Sequence, residues 1–162
     1  MTPVRCLILA LSLGLVGWSG SLLAASLPPS NPFANPSPLP YQAPPFDKIH
    51  DADFAPALDE GMRVQIAEVG RIAADPNPPT FENTIVALER TGRLLTRVNN
   101  VFQAISQANT NDALQQLQLV MSPKLAAHFD AIHLDAKLFA RVRSVYERRA
   151  TLGLDPVQEF LV

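Results

Sequence analysis

A single cysteine, Cys6, leaves this 162-residue chain unable to form an internal disulfide or a Cys-rich metal centre, so any staple must be hydrophobic packing. Glycine is scarce beside proline, 7 against 15, and no Gly-rich phosphate loop occurs. Charge of one sign is also lacking. Thirteen basic residues face 15 acidic ones, the net charge is −2, and the two signs interleave along Arg63 to Arg97 instead of forming a basic stripe. Nothing in that pattern calls for nucleic acid as a partner. No alternation of apolar and polar residues and no β-branched run is found, which excludes a sheet as the framework.

Residues for chemistry are equally thin. None of the three histidines, His50, His128 and His133, is followed by glutamate. His128 and His133 are five apart, about 140° around a helix, and cannot hold one metal from one face. His128 reads as a surface residue and His133 as part of a turn. Glu82 and Glu89 share roughly one face, but Arg93 follows Glu89 by one turn, so the pair reads as a solvated ion-paired face. The serines are scattered without a nucleophile motif. The chain therefore offers no catalytic, cofactor-binding or metal-ligating candidate, and no cofactor is expected in it.

What is present begins with a charged start, Met1 to Arg5, an apolar run from Cys6 to Ala25, and small residues at Ala24-Ala25-Ser26. This predicts a secretory signal over residues 1–25, cleaved after Ala25 or Ser26, and a periplasmic or secreted mature form that leaves the membrane. The rival reading is an uncleaved anchor, because the run is nearly long enough to span a bilayer. Its Gly and Ser interruptions and small-residue exit favour the signal.

Residues 26–50 form a Pro-rich extended arm, since prolines from Leu27 to Pro45 remove backbone donors and fix φ. Up to about Pro36 the arm reads as a flexible spacer. In LPYQAPPFDKI, the residues Leu39, Tyr41, Phe46 and Ile49 supply apolar anchors for laying an extended segment on a folded surface.

From Asp51 onward the apolar spacing turns helical. Asp51 is a candidate cap for a helix striped by Phe54, Leu58, Met62, Ile66, Val69 and Ile72, which should stop at Asp75-Pro76. After the PNPP break, Thr80 caps a second helix with Glu82 in its first turn. Its stripe of Phe81, Ile85, Leu88, Leu95, Val98, Phe102 and Ile105 predicts one element of roughly 40 Å. Thr110-Asn111-Asp112 restarts the chain, and Leu114, Leu117, Met121, Leu125, Phe129 and Ile132 make a third stripe, with a kink or short break at Pro123. A cap at His133-Leu134-Asp135 leads a fourth helix through Leu138, Val142 and Val145 to Leu152, closed by Gly153. The mature part should be all-α, an antiparallel helical bundle over residues 51–162 with the Pro-rich arm before it. Asp155-Pro156 then signals a helix start seven residues before the last one, Val162, which reads as an element left incomplete at the C-terminus.

Several of these stretches carry a resemblance. LPYQAPPFDKI, PTFENTIVALERTG with the following LLTRV, SQANTND, SPKLAAHFDAI and LFARVRSVYERRATLGLDP are similar, in the same order, to the N-terminal region of the thimet-oligopeptidase-like zinc metallopeptidases, in their bacterial peptidyl-dipeptidase branch. The similarity runs from about Asn31 to Val162. It implies a large, mostly helical enzyme with a deep channel, in which a His-Glu-x-x-His helix and a later glutamate hold zinc and C-terminal dipeptides are released from oligopeptides. None of those catalytic residues can be carried over, because the chain has no His-Glu pair. By resemblance it would form channel wall and rim, take part in handling oligopeptide substrate, and be inactive without the missing catalytic remainder. The alternative is a stand-alone secreted helical module that binds peptides or a protein partner.

Overall fold

The computed structural model describes residues 26–162; the signal segment expected over residues 1–25, Cys6 included, lies outside them. Among the described residues every regular element is helical. The main helices are α1 (Asp51–Ala73), α3 (Arg93–Ala108), α4 (Asp112–His133) and α5 (Ala136–Arg148), followed by the short α6 (Pro156–Leu161). Between α1 and α3 a π-helical segment, Phe81–Val86, runs into a single turn, α2 (Ala87–Glu89).

Most starts follow from local hydrogen bonding. Thr80 and Asn83 cap each other: the Asn83 N–H donates to Thr80 Oγ1 at 3.0 Å and the Thr80 N–H to Asn83 Oδ1 at 2.7 Å. Asn111 Oδ1 accepts from the Leu114 N–H at 2.9 Å, and Asp135 Oδ1 accepts from the Lys137 and Leu138 N–H groups at 2.8 Å. Asp155 does the same for Val157 and Gln158 at the head of α6. At α1 the expectation needs correcting. His50 is the cap residue, its N–H donating to the Asp53 carboxylate at 2.8 Å, while Asp51 is the first helical residue and accepts from the Asn111 side-chain amide.

The long helix expected from Thr80 to Ile105 is two pieces. Gly92 breaks it with φ +68°, a left-handed conformation that favours glycine. Its N–H donates to Glu68 Oε2 of α1 at 2.8 Å, and a Cβ there would lie 2.4 Å from Gln65 Nε2. Glu89 and Arg93 consequently sit on different helices and form no ion pair. Conversely, the break expected at Pro123 is absent. α4 runs through it, because Leu119, whose carbonyl loses its donor, is exposed and solvent can take the bond. α5 passes into a 3₁₀ turn, Arg149–Thr151, and Gly153 takes φ +64° just beyond, as expected.

α1 is the central element, packed against by α3, α4 and α5. Phe54, Ala57 and Leu58 of α1 meet Leu95, Val98 and Phe102 of α3 and Leu114 and Met121 of α4 in the main core. Gly61 permits this approach, since a Cβ there would stand 2.8 Å from Leu95 Cα. Further along α1, Val69 packs with Ile132 and Leu138, and a third cluster joins Phe81 and Ile85 to Val145. Ile66, counted in the α1 stripe, is exposed.

The arm is held at the opposite end from the one expected. Phe33 is 2% exposed and its ring lies 5.5 Å from that of Phe54, which in turn lies 5.3 Å from Phe102. The Asn31 side-chain amide donates to the Asp53 carbonyl at 3.1 Å, and Arg97 Nη2 donates to the Phe33 carbonyl at 2.8 Å. The stretch read as a spacer is therefore the docked one. Of the expected anchors only Ile49 packs on the core; Leu39, Tyr41 and Phe46 are exposed.

Candidate functional site

Two buried polar clusters organise the half of the molecule around α5. Arg141, whose side chain is 8% exposed, reaches the 75–84 loop: Nη1 donates to the carbonyls of Asp75 at 2.7 Å and Asn77 at 3.0 Å. Nη2 approaches Asn83 Oδ1 at 3.2 Å, Asp75 Oδ2 at 3.4 Å and Thr84 Oγ1 at 3.5 Å. The Asn77 backbone N–H on the Asp75 carboxyl holds it below its ordinary value, against the opposing effect of desolvation, with help from the Asn77 side chain and the Arg141 charge. This cluster ties the proline-rich loop and the Thr80 cap to α5. It is a clamp: both Arg141 Nη atoms have partners inside the protein, while the buried Nε has none.

The second cluster corrects the reading of His128 as a surface residue. His128 is buried, with Nε2 2.8 Å from Gln65 Oε1 of α1 and its ring 5.2 Å from that of Phe129. An amide oxygen as partner requires the hydrogen to be on Nε2. Burial pushes this imidazole below its ordinary pKa. The only signal available in the sequence was position: His128 stands seven residues from Met121 and four from Ile132, alongside the apolar stripe. His133 ends α4 and is exposed, and His50 is exposed at the head of α1. Glu82 and Glu89 are both exposed. The structure brings no pair of these candidates together. Among the described residues no group of three or more His, Cys, Asp and Glu is placed to hold a metal ion, and no helix is long and apolar enough to cross a membrane.

Beside the His128–Gln65 pair lies an open groove of ≈ 460 Å³ between the Thr91 break, the end of α4 and α5. Leu88, Ile132, Leu138 and Val142 form its apolar walls, and half-buried Gln65 and Thr91 bring polar atoms into it. Phe129 and Phe139, both exposed, stand at its rim with Glu89 and His133. A concave apolar surface with a few converging hydrogen-bonding groups suits ligand binding. The Thr91 hydroxyl in it is hydrogen-bonded to Leu88 and Gln65 and not to a histidine or carboxylate.

The described residues thus form an all-helical scaffold with an apolar, partly polar groove beside α5, and the proteins this chain is similar to are peptidases. Over 125 residues the chain is 51% identical to dipeptidyl carboxypeptidase of Escherichia coli (strain K12), covering 77% of this chain and 18% of that protein. Over 126 residues it is 48% identical to dipeptidyl carboxypeptidase of Salmonella typhimurium, covering 78% of this chain and 18% of the relative. The chain is thus related to the dipeptidyl carboxypeptidases, as the ordered series of matching stretches implied, and spans less than a fifth of the length of these curated relatives. No family model matches it.

Proposed function

We propose that this chain is a non-catalytic helical region of an exported zinc metallopeptidase that releases dipeptides from the free C-termini of oligopeptides. In this reading the helices around α1 form wall and rim of the channel that admits small unfolded peptides. The observation that carries it is identity of about half, over 77% of the chain, to the Escherichia coli dipeptidyl carboxypeptidase. The histidines here do not fit a zinc site: His128 is committed to Gln65, and His50 and His133 stand on opposite ends of the helical framework, at the start of α1 and the end of α4. No chemical step is assigned to these residues, and zinc would be held by other parts of the enzyme. The charged start and apolar run of residues 1–25 support a periplasmic location.

The test follows the native product. An antibody against residues 51–162 should detect, in the periplasmic fraction, a protein several times larger than the 17.6 kDa of this chain. The same fraction should release dipeptides from an oligopeptide with a free C-terminus, and lose that activity to a zinc chelator. A product no larger than this chain, without dipeptide release, would refute the reading and favour a stand-alone binding module.

A further inference from the structure

The groove beside α5 holds hydrogen-bonding capacity that the fold leaves unused. Gln65 Oε1 is taken by His128, but its amide nitrogen has only Thr91 Oγ1 at 3.5 Å, the outer limit of a hydrogen bond. One of its two N–H donors is therefore held only weakly, by Thr91, and the other has no partner among the described residues. The Thr91 hydroxyl commits its hydrogen to the Leu88 carbonyl at 2.8 Å, which leaves its oxygen as an acceptor. A donor and an acceptor side by side match the two needs of a peptide group, a carbonyl seeking a donor and an N–H seeking an acceptor. Buried Ile132 and Leu138 and the exposed ring of Phe139 supply an apolar wall next to them. The volume, ≈ 460 Å³, falls inside the range of about 300–1,000 Å³ usual for small-ligand sites.

Charge narrows the ligand further. No lysine or arginine lines the groove; its titratable groups are Glu89, whose carboxylate repels another carboxylate, and the imidazole of His133 at the rim. A free peptide C-terminus is disfavoured, whereas an internal stretch of chain is accepted. We propose that the groove binds an internal segment of an unfolded peptide, one apolar side chain against Phe139, Ile132 and Leu138, and the adjoining peptide group on Gln65 and Thr91. The proposal rests on the peptide-handling reading above and adds to it a hold on substrate away from the end that is cleaved.

The full chain is titrated with three peptides, acetyl-Ala-Leu-Ala-amide, acetyl-Ala-Glu-Ala-amide and Ala-Leu with a free C-terminus, while NMR follows the Gln65 side-chain amide and the Phe139 ring. The capped leucine peptide should give a saturable shift of both. The glutamate peptide and the free dipeptide should bind more weakly by about tenfold or more, because a charge would have to enter an apolar, acid-rimmed site. Thr91→Val should weaken the leucine peptide by about fivefold, the worth of one hydrogen bond. Phe139→Ala, at an exposed position that leaves the core intact, should also weaken it and covers the case in which Thr91→Val fails to fold. No saturable shift, equal binding of the leucine and glutamate peptides, or undiminished binding by folded Phe139→Ala would overturn the proposal. Shifts of the same resonances on raising protein concentration without peptide would also overturn it, by showing a second copy in the groove. Dipeptide release by the native product is a separate reading: its absence with peptide binding intact strikes the peptidase assignment and leaves the groove assignment standing.

Discussion

Removing the Arg141 guanidinium should be among the most damaging single changes in this protein. Two short bonds from Nη1 to the Asp75 and Asn77 carbonyls would be lost, at 2.7 and 3.0 Å, with the longer Nη2 contacts. Hydrogen bonds to a charged group contribute about 1.5–3 kcal/mol each. Against this, Arg141 Nε is buried with no hydrogen-bond partner, a desolvation cost of about 1–3 kcal/mol that the wild type already carries. The net expectation for Arg141→Ala is a loss of about 3–5 kcal/mol, a large share of the roughly 5–15 kcal/mol that holds a domain folded. Arg141→Lys keeps the charge but not the planar fork that puts Nη1 on the two carbonyls and Nη2 on the Asn83 and Asp75 side chains at once, so it should recover only part of the loss. Urea unfolding at neutral pH measures both, with Arg143→Ala as control; that residue's pair with Glu147 is exposed on both sides and should be worth less than about 0.5 kcal/mol. Limited proteolysis should find the 75–79 loop opened in Arg141→Ala. A loss below about 1 kcal/mol, or full rescue by lysine, would refute the clamp.

Three other outcomes are expected. Gly61→Ala should destabilise by about 1–3 kcal/mol, because its Cβ would press on Leu95 backbone at 2.8 Å, while Gly70→Ala, in open space on the same helix, should stabilise by about 0.5–1 kcal/mol; thermal melts that reverse this order would contradict the α1–α3 contact. The imidazole of His128 is held below its ordinary value by burial, so the unfolded chain binds that proton more readily; stability should be full above about pH 6.5 and fall as pH drops through that value toward the folded pKa, and His128→Gln should flatten urea midpoints compared across this window. Phe33→Ala should cost about 3–5 kcal/mol or release the arm, detected as rapid hydrogen exchange at the Phe33 and Asn31 amides, whereas Tyr41→Ala, at a fully exposed site, should change neither.

The residues that announce themselves in the sequence are those whose partners lie within one turn. Thr80 with Asn83, Asn111 with Leu114, Asp135 with Leu138 and Asp155 with Gln158 are all bonds across three residues, so a linear reading finds the element starts and the all-α class. Apolar spacing found most of the core, including Phe54, Leu58, Val98 and Phe102, because a helix repeats its buried face every three or four residues. Tertiary structure decided what depends on a partner far along the chain. Gly92 breaks the second stripe because Glu68 takes its N–H from 24 residues away and Gln65 leaves no room for a side chain. His128 is buried by Gln65, 63 residues distant; Phe33 is fixed by Arg97, 64 residues distant; and Arg141 is bound to Asp75 across 66. The groove has the same origin, since its polar atoms come from α1 and the Thr91 break and its walls from α4 and α5. Local hydrogen bonds and periodicity are encoded in neighbouring residues, but the meeting of distant polar side chains exists only once the helices have packed around α1.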